Sequence, residues 1–261
     1  MRRRGKSPRL RACGVPEVFV YSLLDPIYTG PPFTMFGFTH IAALVFVALA
    51  CIAVGLAAYY TPAHRQPFLR WGLIGIAVLN WLGWDAWQLA YGLWSAEFSL
   101  PLHICTLSVP LTALMLYTRS YTLYQLLYFW GFTASVVAML TPDLAGYGYN
   151  FPHFRYWIFF TSHGSILLGV VYAAVAFNYR PTWRSVGLAF LLTNAYLLVA
   201  ALANWLTGGN YVYIARKPDF PTLIDLLGPW PWYIIPLQLI GLVAFVLVYL
   251  PWAARDRVRR A

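Results

Sequence analysis

The chain carries little charge for its length, because acidic and basic side chains together make up only 10% of its 261 residues. A soluble domain usually has about 25% charged residues. Hydrophobic residues make up 61% instead, so polar groups cannot cover the surface of the folded chain. The composition excludes an ordinary water-soluble domain and predicts that lipid forms most of the solvent.

Cysteine is also scarce, with three residues at unrelated positions, Cys13, Cys51 and Cys105. This spacing excludes a disulfide framework, and the histidines and cysteines form no compact ligand motif for a metal. We therefore predict neither a metal site nor a cofactor. Cys13 is interpreted as an incidental tail residue, and Cys51 as a small packing residue of an apolar helix.

Long apolar runs recur along the chain, and several reach the roughly 20 residues that a helix needs to cross a bilayer. They show no strand-like alternation, and helices satisfy their own backbone groups in hydrocarbon. We predict an all-α, polytopic transmembrane helix bundle of about seven spans, with six spans or a re-entrant third segment as alternatives. The predicted spans are residues 38–60, 69–94, 101–117, 121–140, 154–177, 185–206 and 233–252.

The two ends of the chain are basic, since ten of the 18 Lys and Arg residues lie within residues 1–11 and 255–261. Anchoring to anionic lipid headgroups explains such clusters beside membrane spans better than nucleic-acid binding does. We divide the chain into a basic tail with lead-in (1–30), one transmembrane domain (31–253) and a basic C-terminal tail (254–261). The expected location is the cell membrane, with membrane lipids as partners and no nucleic acid; protein partners are not predicted.

The orientation in the membrane stays open. Seven spans place the two basic tails on opposite sides, which the positive-inside tendency disfavours. The loops after the first, third and fifth spans, together with the C-terminal tail, favour a cytoplasmic C-terminus. The basic N-terminal tail favours the opposite orientation.

Polar side chains interrupt the second span, where Asn80, Trp84, Asp85 and Gln88 fall within one arc at 100° per residue. A central acidic residue costs about 2.5–3.5 kcal/mol on insertion scales, so this arc faces protein or water. Interhelical hydrogen bonding and a functional role explain the arc equally well. Asp85 is the residue that we single out.

Reactive side chains are concentrated in the string Leu-Pro-Leu-His-Ile-Cys-Thr at residues 100–106. Pro101 suits the first turn of a helix, which places Cys105 about one turn from the positive end of the helix dipole, where a thiolate is favoured. His103 lies about 200° around such a helix from Cys105. From these residues alone, a catalytic cysteine and a packing cysteine are equally good interpretations.

A base for Cys105 is therefore expected from another helix, and residues 151–164 contain two histidines. His163 lies well inside the fifth span, where an ionisable residue is a functional candidate by default. His153 precedes that span near the interface, and Arg155 beside it suits a phosphate or a carboxylate. Both histidines are candidate bases.

Four segments, residues 100–105, 151–163, 208–218 and 228–233, resemble one bacterial group of small integral membrane proteins. This is the YwaF-like group, which is similar to the eukaryotic transmembrane protein 164 family. The string Gly-Gly-Asn-Tyr at 208–211, together with Gly-Pro-Trp-Pro-Trp-Tyr at 228–233, is the most specific part. The resemblance covers the chain from the first span onward. Thr106 stands where a polar, often acidic residue follows the cysteine in the bacterial group.

The eukaryotic relatives are regarded as cysteine-dependent acyltransferases that act on lysophospholipids. The resemblance implies Cys105 as the nucleophile of an acyltransferase or lipid hydrolase and His163 as its general base. His103 would position Cys105, donate to the oxyanion or bond the backbone. Asp85 would orient His163. The predicted substrate-binding residues are Asn80, Asp85, His153, Arg155, Asn210 and Arg216.

Two other classes of function remain as alternatives. A multi-pass transporter would use the polar arc and the histidines as a pathway, and helices broken near Pro101 and Pro110 suit it. A non-catalytic membrane protein would use the same arc only to select its helix partners.

Overall fold

The computed structural model describes residues 23–218 and 222–258 of the chain. Within these residues it has seven long helices and no strand, which confirms the all-α bundle. Most of the two predicted basic tails lies outside the described residues. The helices are α1 (Phe38–Tyr60), α2 (Gln66–Ala90), α3 (Ile104–Thr118), α4 (Tyr121–Leu140), α5 (Phe154–Ala176), α6 (Trp183–Thr207) and α7 (Ile234–Val258).

Five of these helices, α1, α4, α5, α6 and α7, are long and apolar enough to cross a bilayer. The second helix, α2, is 25 residues long but carries the polar arc. The third, α3, has 15 residues, which corresponds to about 22 Å of helix against a hydrocarbon thickness of about 30 Å. Turns and irregular backbone over residues 91–103 lead into it. The predicted seven segments are therefore present as helices, and the third is the short one.

The predicted start of the third segment at Pro101 is wrong, because α3 begins at Ile104 with His103 as its N-cap. The backbone ahead of the helix is tied to a distant loop instead. The hydroxyl of Tyr211 accepts the N–H of Leu100 at 3.0 Å. A proline suits a helix start, but with Leu100 bound to Tyr211 the backbone stays bent and irregular as far as His103.

The central helix of the bundle is α5, which packs against α1, α2, α3 and α4. It runs parallel to α3, because two contacts join corresponding parts of the two helices. Near their C-terminal ends, the hydroxyl of Tyr179 donates to the carbonyl of Arg119. Further back, a methyl group at Gly169 would overlap the side chain of Thr112, so the two backbones approach closely there.

A π-helical turn over Gly131–Ser135 interrupts α4. Gly131 lets α4 approach α5, since a side chain there would lie 3.3 Å from Ile166. Such turns shift the following residues around the helix axis and are frequent at functional sites. Ser135, the last residue of the turn, is completely buried as a result of its position between helices.

The helices alternate in direction, so the N-termini of α1, α3, α5 and α7 share one end of the bundle, which we call the site end. The opposite end, with their C-termini, we call the basic end. The described charges near the basic end are Arg65, Arg70, Arg119, Arg180, Arg184, Arg255, Arg257 and Asp256. Those near the site end are Asp25, Asp85, Glu97, Asp143, Asp225, Arg155, Arg216 and Lys217.

Candidate active site

Cys105 is the second residue of α3, so its thiol lies directly at the positive end of the helix rather than a turn inside it. The backbone N–H groups of a first helical turn have no partner within the helix. The side chain is partly accessible although helices surround it. Cys105 is therefore a partly buried residue at the start of the helix.

The hydroxyl of Ser135 lies beside the thiol of Cys105. Its Oγ is buried and has no aligned hydrogen-bond partner within residues 23–218 and 222–258. A buried hydroxyl without a partner costs free energy. Ser135 is thus available to donate a hydrogen bond to a thiolate at Cys105.

The contact between Thr112 and Gly169 fixes the level of Cys105 relative to His163. Cys105 precedes Thr112 by seven residues on α3, and His163 precedes Gly169 by six residues on the parallel helix α5. At about 1.5 Å per residue, these offsets are roughly 10 Å and 9 Å along the helices. Cys105 and His163 therefore lie at the same level of the bundle.

The packing of α4 on α5 shows which way His163 faces. Gly131 of α4 lies against Ile166 and Leu167 of α5. Because the two helices are antiparallel, one turn further along α4 reaches Ser135, and one turn back along α5 reaches His163. His163 is thus directed towards Ser135, which also adjoins the thiol. Helices α3, α4 and α5 thus place Cys105, Ser135 and His163 at the same level of the bundle.

The backbone fixes the tautomer of His163. Its Nδ1 lies 2.7 Å from the carbonyl oxygen of Phe159, which can only accept a hydrogen bond, so Nδ1 carries the proton. In the neutral ring, Nε2 then keeps its lone pair. This atom has no hydrogen-bond partner among the described residues. His163 presents a basic nitrogen to the site.

His103 has the opposite tautomer. Its Nδ1 accepts the backbone N–H of Val212 at 3.4 Å, so the neutral ring carries its proton on Nε2. The ring is held between Tyr211 and Tyr213, with centroid distances of 5.4 Å and 5.3 Å. His103 therefore presents a hydrogen-bond donor, while His163 presents an acceptor.

The N–H that His103 accepts comes from a strained turn. Val212 has φ 58° and Tyr213 has φ 55°, both in the left-handed region that side chains rarely adopt. For a β-branched residue such as Val212 this conformation is a clear outlier. Strain of this kind persists where surrounding structure enforces it, and it is concentrated at functional sites. Here the strained turn aims one backbone donor at His103.

A carboxylate reaches the same site from the connection between α4 and α5. The charge of Asp143 acts on His103, Cys105 and His163. Its Oδ2 accepts a hydrogen bond from Arg155 at 3.2 Å, and Arg155 lies 4.3 Å from the ring of Trp84. Asp143 is therefore a carboxylate whose charge acts on Cys105, although the neighbouring residue Thr106 is not acidic. Thr106 itself donates to the carbonyl of residue 103 at 3.0 Å.

Tyr213 also belongs to this group of residues, because its phenol interacts electrostatically with the Asp143 carboxylate and with Cys105. It lies in the connection between α6 and α7, where burial and then the Asp143 carboxylate raise the pKa of the hydroxyl. The phenol therefore stays protonated at neutral pH and can donate a hydrogen bond.

Asn80 joins two helices. Its Nδ2 donates to the carbonyl of Ile76 at 2.8 Å, and its Oδ1 accepts from the hydroxyl of Thr161 on α5 at 2.5 Å. It also lines a largely apolar cavity of about 730 Å³ between α1, α2 and α5. Cys105, on α3, is not among the residues that line this cavity.

His153 and Asn210 use their polar atoms within the protein. The Nδ1 of His153 caps α5 by accepting the N–H of Arg155, and its Nε2 lies 2.9 Å from the carbonyl of Asp25. Asn210 bonds backbone groups of residues 215–217 through both ends of its amide. Neither residue has a polar atom left for a substrate in this arrangement.

The residues around the thiol form what we call the thiol cluster: His103, Cys105, Ser135, Asp143, His163 and Tyr213. Asp85 and Arg216 lie away from this cluster. Asp85 is half-buried and makes no hydrogen bond or ion pair with any described residue, and the charges that act on His163 come from Asp143 and Arg155. Arg216 is exposed, and its closest acidic partner is Glu97 at 3.9 Å. The predicted catalytic residues Cys105, His103 and His163 all lie at the site end and share the influence of the Asp143 charge; their catalytic roles stay a prediction.

Three site residues, Ser135, Asp143 and Tyr213, escaped the sequence analysis. Asp143 follows Thr141-Pro142, a dipeptide typical of a connection, and Ser135 lies within an apolar span. Tyr213 lies two residues beyond the Gly-Gly-Asn-Tyr string. Two signals were available in the sequence. Asp143 is a charged residue just after a predicted span, and Tyr213 lies close to the specific Gly-Gly-Asn-Tyr string.

Comparison with known proteins gives one match. A family model described as the TMEM164 family matches residues 35–249. No curated protein and no solved structure matches the chain. The match covers α1 to α6 and most of α7, and it includes every residue of the thiol cluster. The chain is a multi-pass membrane protein that belongs to the TMEM164 family.

Proposed function

We propose that the protein is a thiol-dependent lipid acyltransferase in which Cys105 carries the acyl group. The observation that carries this proposal is that Nε2 of His163 makes no hydrogen bond with a described residue and lies at the level of the Cys105 thiol, which has Ser135 beside it. A nucleophile and a base from separate helices, each oriented by further groups, form the pattern expected for covalent catalysis.

In the first half-reaction, the Cys105 sulfur attacks the ester carbonyl of a phospholipid while the thiol proton passes to Nε2 of His163. The tetrahedral intermediate collapses with cleavage of the ester C–O bond. The leaving lysolipid oxygen takes the proton back from the imidazolium. The products are an acyl thioester on Cys105 and a lysophospholipid.

In the second half-reaction, Nε2 of His163 removes the proton from the hydroxyl of an acceptor lysolipid, whose oxygen attacks the thioester. The C–S bond breaks, the new ester leaves, and the imidazolium returns its proton to the sulfur. Water in place of the lysolipid would release a fatty acid, so hydrolysis is the second activity that the same geometry supports.

The negative charge on the tetrahedral oxygen is stabilised by donors from three sources. The unpaired N–H groups in the first turn of α3 and the helix dipole favour an anion beside Cys105. Nε2 of His103 and the phenol of Tyr213 add side-chain donors to the same cluster. Removing one such donor commonly lowers the rate about 10²- to 10³-fold.

The polar arc and the two arginines take different roles in this scheme. The cavity beside Asn80 holds a hydrocarbon chain, since its lining is almost entirely apolar and lies at membrane depth. Arg155 pairs with Asp143 and thereby offsets the negative charge that this carboxylate brings to the thiol cluster. The exposed Arg216 remains the contact for a headgroup phosphate at the interface.

The test uses the full chain reconstituted in vesicles that contain a phospholipid with a labelled acyl chain and an unlabelled lysophospholipid. We expect transfer of the label, and a hydroxylamine-sensitive acyl adduct on Cys105 by intact mass. Cys105→Ala should abolish both, and Cys51→Ala should change neither. Full transfer by the Cys105→Ala protein would rule out the proposal.

A further inference from the structure

A second cavity lies at the basic end of the bundle, away from the thiol cluster. It has a volume of about 200 Å³ and is bounded by the turn between α1 and α2, by α2, and by the C-terminal ends of α3 and α5. This exceeds the roughly 30 Å³ that one water molecule occupies. Its polar lining consists of Gln66, Arg70, Arg119 and Tyr172.

Two guanidinium groups converge on this cavity. Nε of Arg70 is buried and has no hydrogen-bond partner. Arg119 ends α3 in the left-handed conformation, and its guanidinium lies 5.7 Å from the ring of Phe177. In the part of the chain that the structure describes, neither arginine lies within ion-pair distance of an acid. Both charges act on the hydroxyl of Tyr172.

The cavity wall also contains an acceptor without a donor. The amide nitrogen of Gln66 donates to the carbonyls of Ala58 and Thr61 at 2.7 Å and 3.0 Å, which fixes the orientation of the amide. Its Oε1 is buried and unpartnered. The buried donor on Arg70 and the buried acceptor on Gln66 both lack partners, so they favour a ligand that has an acceptor for the first and a donor for the second.

We propose that this cavity binds the headgroup of an anionic phospholipid whose phosphate is esterified to a hydroxyl-bearing group. The phosphate oxygens accept from Arg70 and Arg119, and a headgroup hydroxyl donates to Gln66. The cavity lies at the turns where the helices leave the membrane, the depth of lipid phosphates. Guanidinium groups bind phosphate oxygens through paired, charge-assisted hydrogen bonds.

The experiment measures lipid retention by native mass spectrometry of the full chain in detergent, titrated with short-chain phosphatidylglycerol or phosphatidylcholine. We expect saturable binding of phosphatidylglycerol and weak binding of phosphatidylcholine. Arg70→Gln and Arg119→Gln should each lower the affinity for phosphatidylglycerol about tenfold, as the loss of a charged hydrogen bond does. Arg119→Gln keeps the test valid if Arg70→Gln fails to fold, because the Arg119 side chain is exposed.

The matched control is Arg65→Gln, an exposed arginine beside the same turn that does not line the cavity. It should bind phosphatidylglycerol as the unaltered protein does. An equal loss in Arg65→Gln would indicate diffuse surface charge and overturn the site. Equal binding of the two lipids would overturn the headgroup preference, and full competition by inorganic phosphate at matched concentration would overturn the lipid as the ligand.

Discussion

At the scale of single residues, the hydrogen bonds of the histidines distinguish rings with both nitrogens bonded from rings with one nitrogen unbonded, as the proposed reactive role requires. His40 bonds the N–H of residue 36 and the carbonyl of Met139 at 2.8 Å each, and His153 likewise uses both ring nitrogens. His103 and His163 each use one nitrogen and leave the other open. The sequence presents all four as histidines near helix ends or inside spans, and only the contacts distinguish them.

The first prediction concerns the base. His163→Asn retains a donor for the carbonyl of residue 159, as Asn80 and Asn194 do for their own helices at 2.8 Å and 2.9 Å. It removes the basic nitrogen, so acyl transfer should fall about 10²- to 10⁴-fold. Rates in reconstituted vesicles measure this, with His64→Asn as the control at an exposed site. An unchanged rate in folded His163→Asn protein would exclude His163 as the base.

The second prediction concerns pH. Burial lowers the pKa of His153 from its ordinary value near 6.5, which the bond to the Asp25 carbonyl partly opposes. The unfolded chain then binds a proton more readily than the folded chain, so stability should be full above about pH 6.5 and decline as the pH falls towards the lowered value. Unfolding midpoints in detergent between pH 8 and pH 5 measure the decline. His153→Gln should have a lower midpoint and a flatter profile. A profile unchanged by the substitution would contradict the assignment.

The residue types made Cys105, His103 and His163 candidates, because such residues are rare in a bilayer, and the family resemblance implied their catalytic roles, which stay a prediction. It did not predict Ser135, Asp143 or Tyr213. Those three reach the thiol from α4 and from two connections, and their proximity depends on helix packing that no local pattern records. The same packing uses the polar atoms of His153 and Asn210 internally, which a residue type alone does not reveal.

At the scale of helices, periodicity and length predicted where the spans lie, and α4 begins and ends at the predicted residues. The start of α3 was predicted three residues too early. Proline favours a first helical turn, but the bond between Tyr211 and residue 100 joins segments 111 residues apart. Long-range bonds of this kind override local preference and are invisible in the local sequence.

The third prediction concerns the cavity between α1, α2 and α5. The stretch of α1 that lines it runs from Phe38 to Ala50, about 18 Å of helix, close to the depth of one leaflet of a hydrocarbon core of about 30 Å. Ala42→Trp should fill it and reduce crosslinking by a phospholipid with a photoreactive acyl chain, together with acyl transfer. Ala48→Trp places the same bulk on the same helix outside the cavity. Equal effects of the two substitutions would contradict the assignment of an acyl chain to this cavity.

At the scale of the whole molecule, charge distinguishes the two ends of the bundle. Among the residues that the structure describes, seven arginines and one aspartate lie near the basic end, whereas acids outnumber bases near the site end. The loops and turns nearest the spans dominate the positive-inside tendency, which favours a cytoplasmic basic end. The sequence left the orientation open because the N-terminal tail opposes the loops, and that tail lies outside the described residues.

The fourth prediction is that the site end faces away from the cytoplasm. In a protein with Cys13, Cys51 and Cys105 replaced by alanine, Ala96→Cys should react with a membrane-impermeant maleimide added to intact cells. Ala254→Cys, also exposed but at the basic end, should react only after the cells are opened. The reverse pattern would show that the N-terminal tail, not the turns, determines the orientation.

The shortness of α3 has a consequence for the lipids around the protein. A helix of about 22 Å whose C-terminal end reaches the surface at the basic end leaves its first residues, Cys105 among them, roughly 8 Å below the site-end edge of a hydrocarbon layer about 30 Å thick. Ester groups of undisturbed lipids would then lie above the sulfur rather than beside it. For the proposed acyl transfer, either the surrounding leaflet thins to match or each reacting lipid sinks below its neighbours, so we expect hydrophobic mismatch to regulate the rate.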